Sequence, residues 1–74
     1  MKSKINTAYT EALKIKGVLK TKRSNIGGVQ GLTIFVKMNA DLAEVSKTFN
    51  EIFILADSLE LKALPTKNTV YITQ

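Results

Sequence analysis

Apolar positions change their spacing along this chain, and the changes mark its elements. Ile5, Ala8, Tyr9, Ala12 and Leu13 recur at the i, i+3, i+4, i+7, i+8 spacing of one helical face. Ser3 can cap that helix, and Gly17 supplies a left-handed stop after Lys14 and Lys16. The pattern predicts a helix over residues 4–16. Residues 18–23 read as a short, highly charged strand. Leu32, Ile34, Val36 and Met38 then alternate with Thr33, Phe35 and Lys37, the period of a half-buried strand. Asn25, Gly27, Gly28 and Gly31 lie between the two, so the spacing predicts a hairpin with a long glycine-rich tip.

The second half repeats the rhythm. Leu42, Val45, Phe49, Ile52, Phe53 and Ala56 form a broad helical stripe ending near Asp57. Asn39 is the expected cap, with Asp41 in the first turn. Leu59, Leu61 and Ala63 alternate with Glu60 and Lys62. A turn follows at Pro65, Thr66, Lys67 and Asn68, and Val70 and Ile72 then alternate with Thr69, Tyr71 and Thr73. The order is α-β-β-α-β-β. It predicts an α+β protein, an antiparallel sheet with both helices on one face. The other face should carry basic residues of the first hairpin, Thr33, Phe35, Lys37, Lys62 and Tyr71.

Seventy-four residues make one domain, 1–74. The chain has no cysteine and no histidine. Disulfides, thiolate chemistry, the usual neutral-pH base and the commonest metal ligand are therefore excluded. A disulfide-free domain with no apolar run after Met1-Lys2-Ser3-Lys4 is expected in the cytoplasm. The longest apolar stretch, residues 52–56, is far short of the roughly 20 residues of a membrane span, so no membrane is expected. Glu11, Asp41, Glu44, Glu51, Asp57 and Glu60 form no close pair in an apolar setting, and no serine or threonine is set beside an activating lysine. The expectation is a protein without catalysis, metal or cofactor.

Charge gives a direction to that reading. The net charge is +5, and residues 1–38 hold eight basic residues against Glu11 alone. Residues 39–74 hold three lysines and five acids. Such asymmetry points to an anionic partner, nucleic acid first. Lys20 and Lys22 share a strand face, and Arg23 points to the other. A β-ribbon fits a DNA major groove, where Arg23 could pair with guanine and Asn25 with adenine. Lys37, Lys62 and Lys67 would add contacts, with DNA expected before RNA. The plain alternative is a solvated edge strand whose lysines prevent aggregation.

Gly28 and Gly31 form a Gly-x-x-Gly, but the residues after it are strand-like and no basic residue lies between, unlike a KH loop. No Gly-Lys-Ser/Thr follows, which excludes a P-loop. Phe49 and Phe53 belong to the core. Phe35 and Tyr71 fall out of phase with the core positions of their strands. They could stack bases on an open sheet face, or anchor a protein partner or a homodimer.

Three local groups carry a resemblance. They are Gly17-Val18-Leu19-Lys20 after the first helix, Arg23-Ser24-Asn25 in the first hairpin, and Lys62-Ala63 with Asn68-Thr69-Val70-Tyr71-Ile72 in the second. With the element order, they resemble the double-wing DNA-binding domain of the MotA middle-promoter activators of T-even bacteriophages. The resemblance implies a sheet laid on DNA with hairpin residues as contacts. Segment 27–31 has no counterpart in that pattern, and the domain that such activators turn to the transcription machinery is not in this sequence. The leading expectation is a phage-type or bacterial DNA-binding protein linked to transcription, monomeric or homodimeric. The alternative is a phage effector that inhibits a host enzyme or defence complex through Gly28, Gly31, Phe35 and Tyr71. A third is an assembly subunit that pairs by sheet edges.

Overall fold

A computed structural model describes residues 4–38 and 41–74. Its elements are α1 (Lys4–Ala12), β1 (Val18–Ile26), β2 (Val29–Val36), α2 (Leu42–Ser58), β3 (Lys62–Pro65) and β4 (Thr69–Thr73). The strands form one antiparallel sheet in the order β1-β2-β4-β3. The class and the element order are those the periodicities predict.

One core lies between the sheet and the helices. Leu32, Ile34 and Val36 of β2 and Val70 and Ile72 of β4 are buried, because alternate residues of a strand point to one face. They pack with Ile5, Ala8 and Ala12 of α1 and with Val45, Ile52 and Ala56 of α2. Each of the larger aliphatic side chains contributes about 1.5–3 kcal/mol by burial. Thr21 of β1 is buried among them, and its hydroxyl finds no hydrogen-bond partner among the described residues.

Several boundaries differ from the expected ones. α1 stops at Ala12 rather than at 16. Lys14, Ile15 and Val18 each donate to the carbonyl three residues back, so the chain leaves the helix axis in tight turns. Leu13 is thereby exposed, while Ile15 turns back onto the core. Ser3 and Asn39, the expected caps, lie outside the described residues. The cap of α2 is Asp41 itself, whose carboxylate accepts from Ala43 N–H at 3.0 Å and Glu44 N–H at 3.4 Å. The helix therefore starts at Leu42, which stays exposed on its first turn. Thr48 takes the buried position between Val45 and Ile52, and Phe49 and Phe53 are half-buried at the margin of the core.

The first hairpin has no long tip. Its strands continue through Asn25↔Gln30 to a two-residue Gly27-Gly28 turn. Both glycines have positive φ, +59° and +83°, the conformation of a type I′ turn whose twist matches the strands. Gly31 belongs to β2, opposite Ser24 and Thr73. Near the other end, β1 carries a bulge: Val18 pairs with Val36 and Lys20 with Phe35, leaving Leu19 extra and exposed.

β3 begins at Lys62, later than the alternation suggests, because α2 closes with residues 59–61. Leu61 N–H donates to Ala56 C=O at 2.8 Å and Glu60 N–H to Asp57 C=O at 3.0 Å, the two bonds of a Schellman cap. The cap needs a left-handed residue, and here a glutamate supplies it, with φ +58°. A Cβ in that region costs about 1–2 kcal/mol. Its ion pair with Lys4, 3.8 Å between largely exposed groups, offsets little of that. Glu60→Gly is expected to stabilise the protein by about 1 kcal/mol in denaturant unfolding. A destabilised variant would show that the ion pair outweighs the backbone.

Among the described residues, no helix is long and apolar enough to cross a membrane.

Candidate functional site

Strand pairing fixes which residues share a face. Residues directly opposite in a ladder point the same way, so everything in step with Ile34 and Val70 faces the helices. The other face is open. β1 gives it Lys20, Lys22 and Ser24, and β2 gives Gly31, Thr33 and Phe35. β4 adds Thr69, Tyr71 and Thr73, and β3 adds Lys62 and Leu64.

The bulge at Leu19 decides the charge of this face. On a regular strand Lys20 would share the inward face of Val18. The extra residue turns Lys20 outward, beside Phe35 and in line with Lys22. Its ammonium lies 4.9 Å from the centre of the Phe35 ring. Lys22 stands opposite Thr33, and Lys62 stands at the far edge opposite Thr73. Lys20, Lys22 and Lys62 are all exposed.

Among the described residues, no acidic side chain shares the face. Glu11 lies on α1, Glu44, Glu51 and Asp57 lie on α2, and Asp41 and Glu60 cap α2. Lysines of the helical layer find acids: Lys14 pairs with Glu11 at 3.3 Å and Lys4 with Glu60. Lys20, Lys22 and Lys62 make no ion pair among the described residues.

Gly31 shapes the middle of the face. It stands on the open side, against β4. A Cβ there would come within 3.0 Å of the Tyr71 hydroxyl and 2.7 Å of the Ile72 carbonyl. The Tyr71 side chain therefore lies down along the sheet over the bare glycine, one rung diagonally away. Ser24 and Thr33 are joined across β1 and β2 by a hydroxyl contact of 3.0 Å.

The remaining residues singled out in the sequence lie elsewhere. Arg23 is on the helical side of β1, where its guanidinium stacks 4.7 Å from the Tyr9 ring centre and Nη1 donates to Asn6 Oδ1. Arg23 thus ties α1 to β1. Asn25 is exposed on that same side near the tip. Lys37 follows the end of β2 and, contrary to expectation, is not on the open face. Its N–H donates to Gly17 C=O at 2.7 Å, and it lines a cleft with Lys16, Lys47 and Glu44. Lys67 is exposed in the turn between β3 and β4, and Gly28 is at the hairpin tip with open space around it. The structure thus groups Lys20, Lys22, Lys62, Gly31, Phe35 and Tyr71, and separates Arg23, Asn25, Lys37, Lys67 and Gly28 from them. Sequence reading missed Leu64 and the threonine row at 69 and 73. The alternation of 69–73 carries the signal for the threonines.

The chain matches no protein-family model, and no curated protein or solved structure shows significant similarity to it.

Proposed function

We propose that this protein binds nucleic acid through the open face of its sheet, with Lys20, Lys22 and Lys62 meeting phosphates. The observation that carries the reading is the segregation of charge: among the described residues, three lysines without an ion pair and no acidic side chain on one face, with all six acids on the other layer. A face of that kind attracts a polyanion with no like-charge penalty, and phosphate contacts supply most of non-specific affinity. The surrounding hydroxyls of Thr33, Thr69 and Thr73 are suited to phosphate and sugar oxygens. DNA and a role in transcription, as a phage or bacterial protein would have, stay within this proposal and rest on the resemblance above.

Salt dependence tests it. Three phosphate contacts should weaken binding about 20- to 40-fold between 50 and 200 mM salt, measured by fluorescence anisotropy on duplex and single-stranded oligonucleotides. Changing Lys20, Lys22 and Lys62 together to alanine should flatten that dependence almost completely. Arg23→Ala should leave the slope unchanged and lower stability by about 1 kcal/mol, because its contacts are with α1. If the triple variant keeps the native slope, or no oligonucleotide binds at 50 mM salt, the proposal is wrong. In the second case an acidic polypeptide partner becomes the reading for this face.

A further inference from the structure

Resting on that reading, we infer that the ligand is single-stranded nucleic acid, with bases stacked on Phe35 and Tyr71.

Both rings stand on the open face of the two central strands. Phe35 pairs with Thr69 and Thr33 with Tyr71, so the rings are diagonal neighbours. Diagonal positions of a sheet lie about 7–8 Å apart, which gives each ring room for its own base. Tyr71 lies along the sheet because Gly31 offers no side chain beneath it. Laid over the glycine and half-buried, the Tyr71 ring can offer a π face to a base above the sheet. In a duplex the base faces are already stacked on one another, and only a single strand can offer them to a protein ring.

The lysines fit the same occupant. Lys20 and Lys22 flank the rings along one edge and Lys62 along the other, so the backbone would run beside the rings and the bases over them. Lys20 now covers Phe35. A cation–π contact at an exposed site is weaker than a stacked base, so a base would displace the ammonium toward a phosphate. The groove-reading alternative needs Arg23 and Asn25 beside Lys20 and Lys22, and they lie on the opposite side of the strand.

The test compares oligothymidylate and oligouridylate of about 16 nucleotides with a duplex of equal length at 50 mM salt. One or both single strands should bind at least tenfold more tightly than the duplex. Phe35→Leu and Tyr71→Leu should each weaken single-strand binding about 5- to 100-fold, and duplex binding less than about twofold. Phe35→Tyr and Tyr71→Phe should restore it. If a leucine variant fails to fold, the Tyr9→Phe chain has Tyr71 as its sole tyrosine. Its emission should be quenched by the single strand and not by heparin, a polyanion without bases. Duplex binding as tight as single-strand binding, leucine variants that bind as the native chain does, or equal quenching by heparin would overturn the inference while leaving the lysine face standing. Absence of all nucleic-acid binding would remove both.

Discussion

Gly17→Ala is expected to lower stability by about 3 kcal/mol, a fall of about 15 °C in the unfolding midpoint of a domain this size. Two costs coincide there. Gly17 has φ +99°, which a side-chain-bearing residue adopts only under strain. A Cβ would also run into the Thr48 hydroxyl, with Thr48 Cβ and Cγ2 at 3.2 Å. Thr48 cannot retreat, since it is 5% exposed and sits within hydrogen-bond distance of two carbonyls, Lys16 and Glu44, each at 3.1 Å. This contact clamps the turn after α1 to the second turn of α2. A double-mutant cycle separates the two costs. With Thr48→Ala in place the hydroxyl and Cγ2 contacts are gone and only the Cβ contact at 3.2 Å and the backbone strain remain, so Gly17→Ala should then cost about 1–2 kcal/mol. A single change costing less than about 1 kcal/mol in the native background would refute the clamp.

Gly31→Ala should cost about 2 kcal/mol, or about 10 °C. The reason is different, because Gly31 has no positive φ. Its Cβ would press at 2.7 Å on the Ile72 carbonyl, part of the neighbouring strand. That atom is backbone and cannot swing away, so the strands must part or the ladder must shift. Tyr71 is lifted at the same time. Thermal unfolding reads the first effect and near-ultraviolet circular dichroism of tyrosine reads the second. In a Tyr71→Ala background most of the stability cost should persist, since the carbonyl remains. At Gly27 and Gly28 an added Cβ would have no neighbour within 4 Å, so alanine there meets only the φ penalty.

The two helices and four strands are legible because helical and strand periods leave different marks on the same apolar residues. The core of β2 and β4 follows directly from alternation at 32–36 and 70–72. What escapes is decided by single backbone events. Gly27-Gly28 is the two-residue turn signal of a hairpin, yet Gly31 nearby makes the whole segment look like a loop. Gly31 is glycine for the sake of a neighbour across the sheet, which local sequence does not record. Glu60 closes α2 in a conformation that glycine usually marks. The bulge at Leu19 leaves no signature, although it sets the side on which Lys20 emerges. The candidate site is half legible for that reason. Parity alone places Phe35, Tyr71 and Lys62 on the open face. The same parity misplaces Lys37, because the alternation ends at Val36. Alternation sets Arg23 opposite Lys22, but its engagement with Tyr9 and Asn6 needs the fold.

The strand order has a kinetic consequence. β1 with β2, and β3 with β4, are hairpins whose partners are close in sequence and can zip within microseconds. The seam between β2 and β4 is another matter, because it joins Leu32 to Ile72 and Ile34 to Val70, far apart in the chain. Loop closure must come before those contacts return anything, so the seam should set the folding rate. Trimming Ile34 or Val70 should slow refolding in stopped-flow measurements, whereas trimming Leu64 at the edge should leave the refolding arm unchanged. Until the seam closes, each half carries an unsaturated strand edge lined with aliphatic side chains, and chains delayed at that stage are the ones at risk of joining one another.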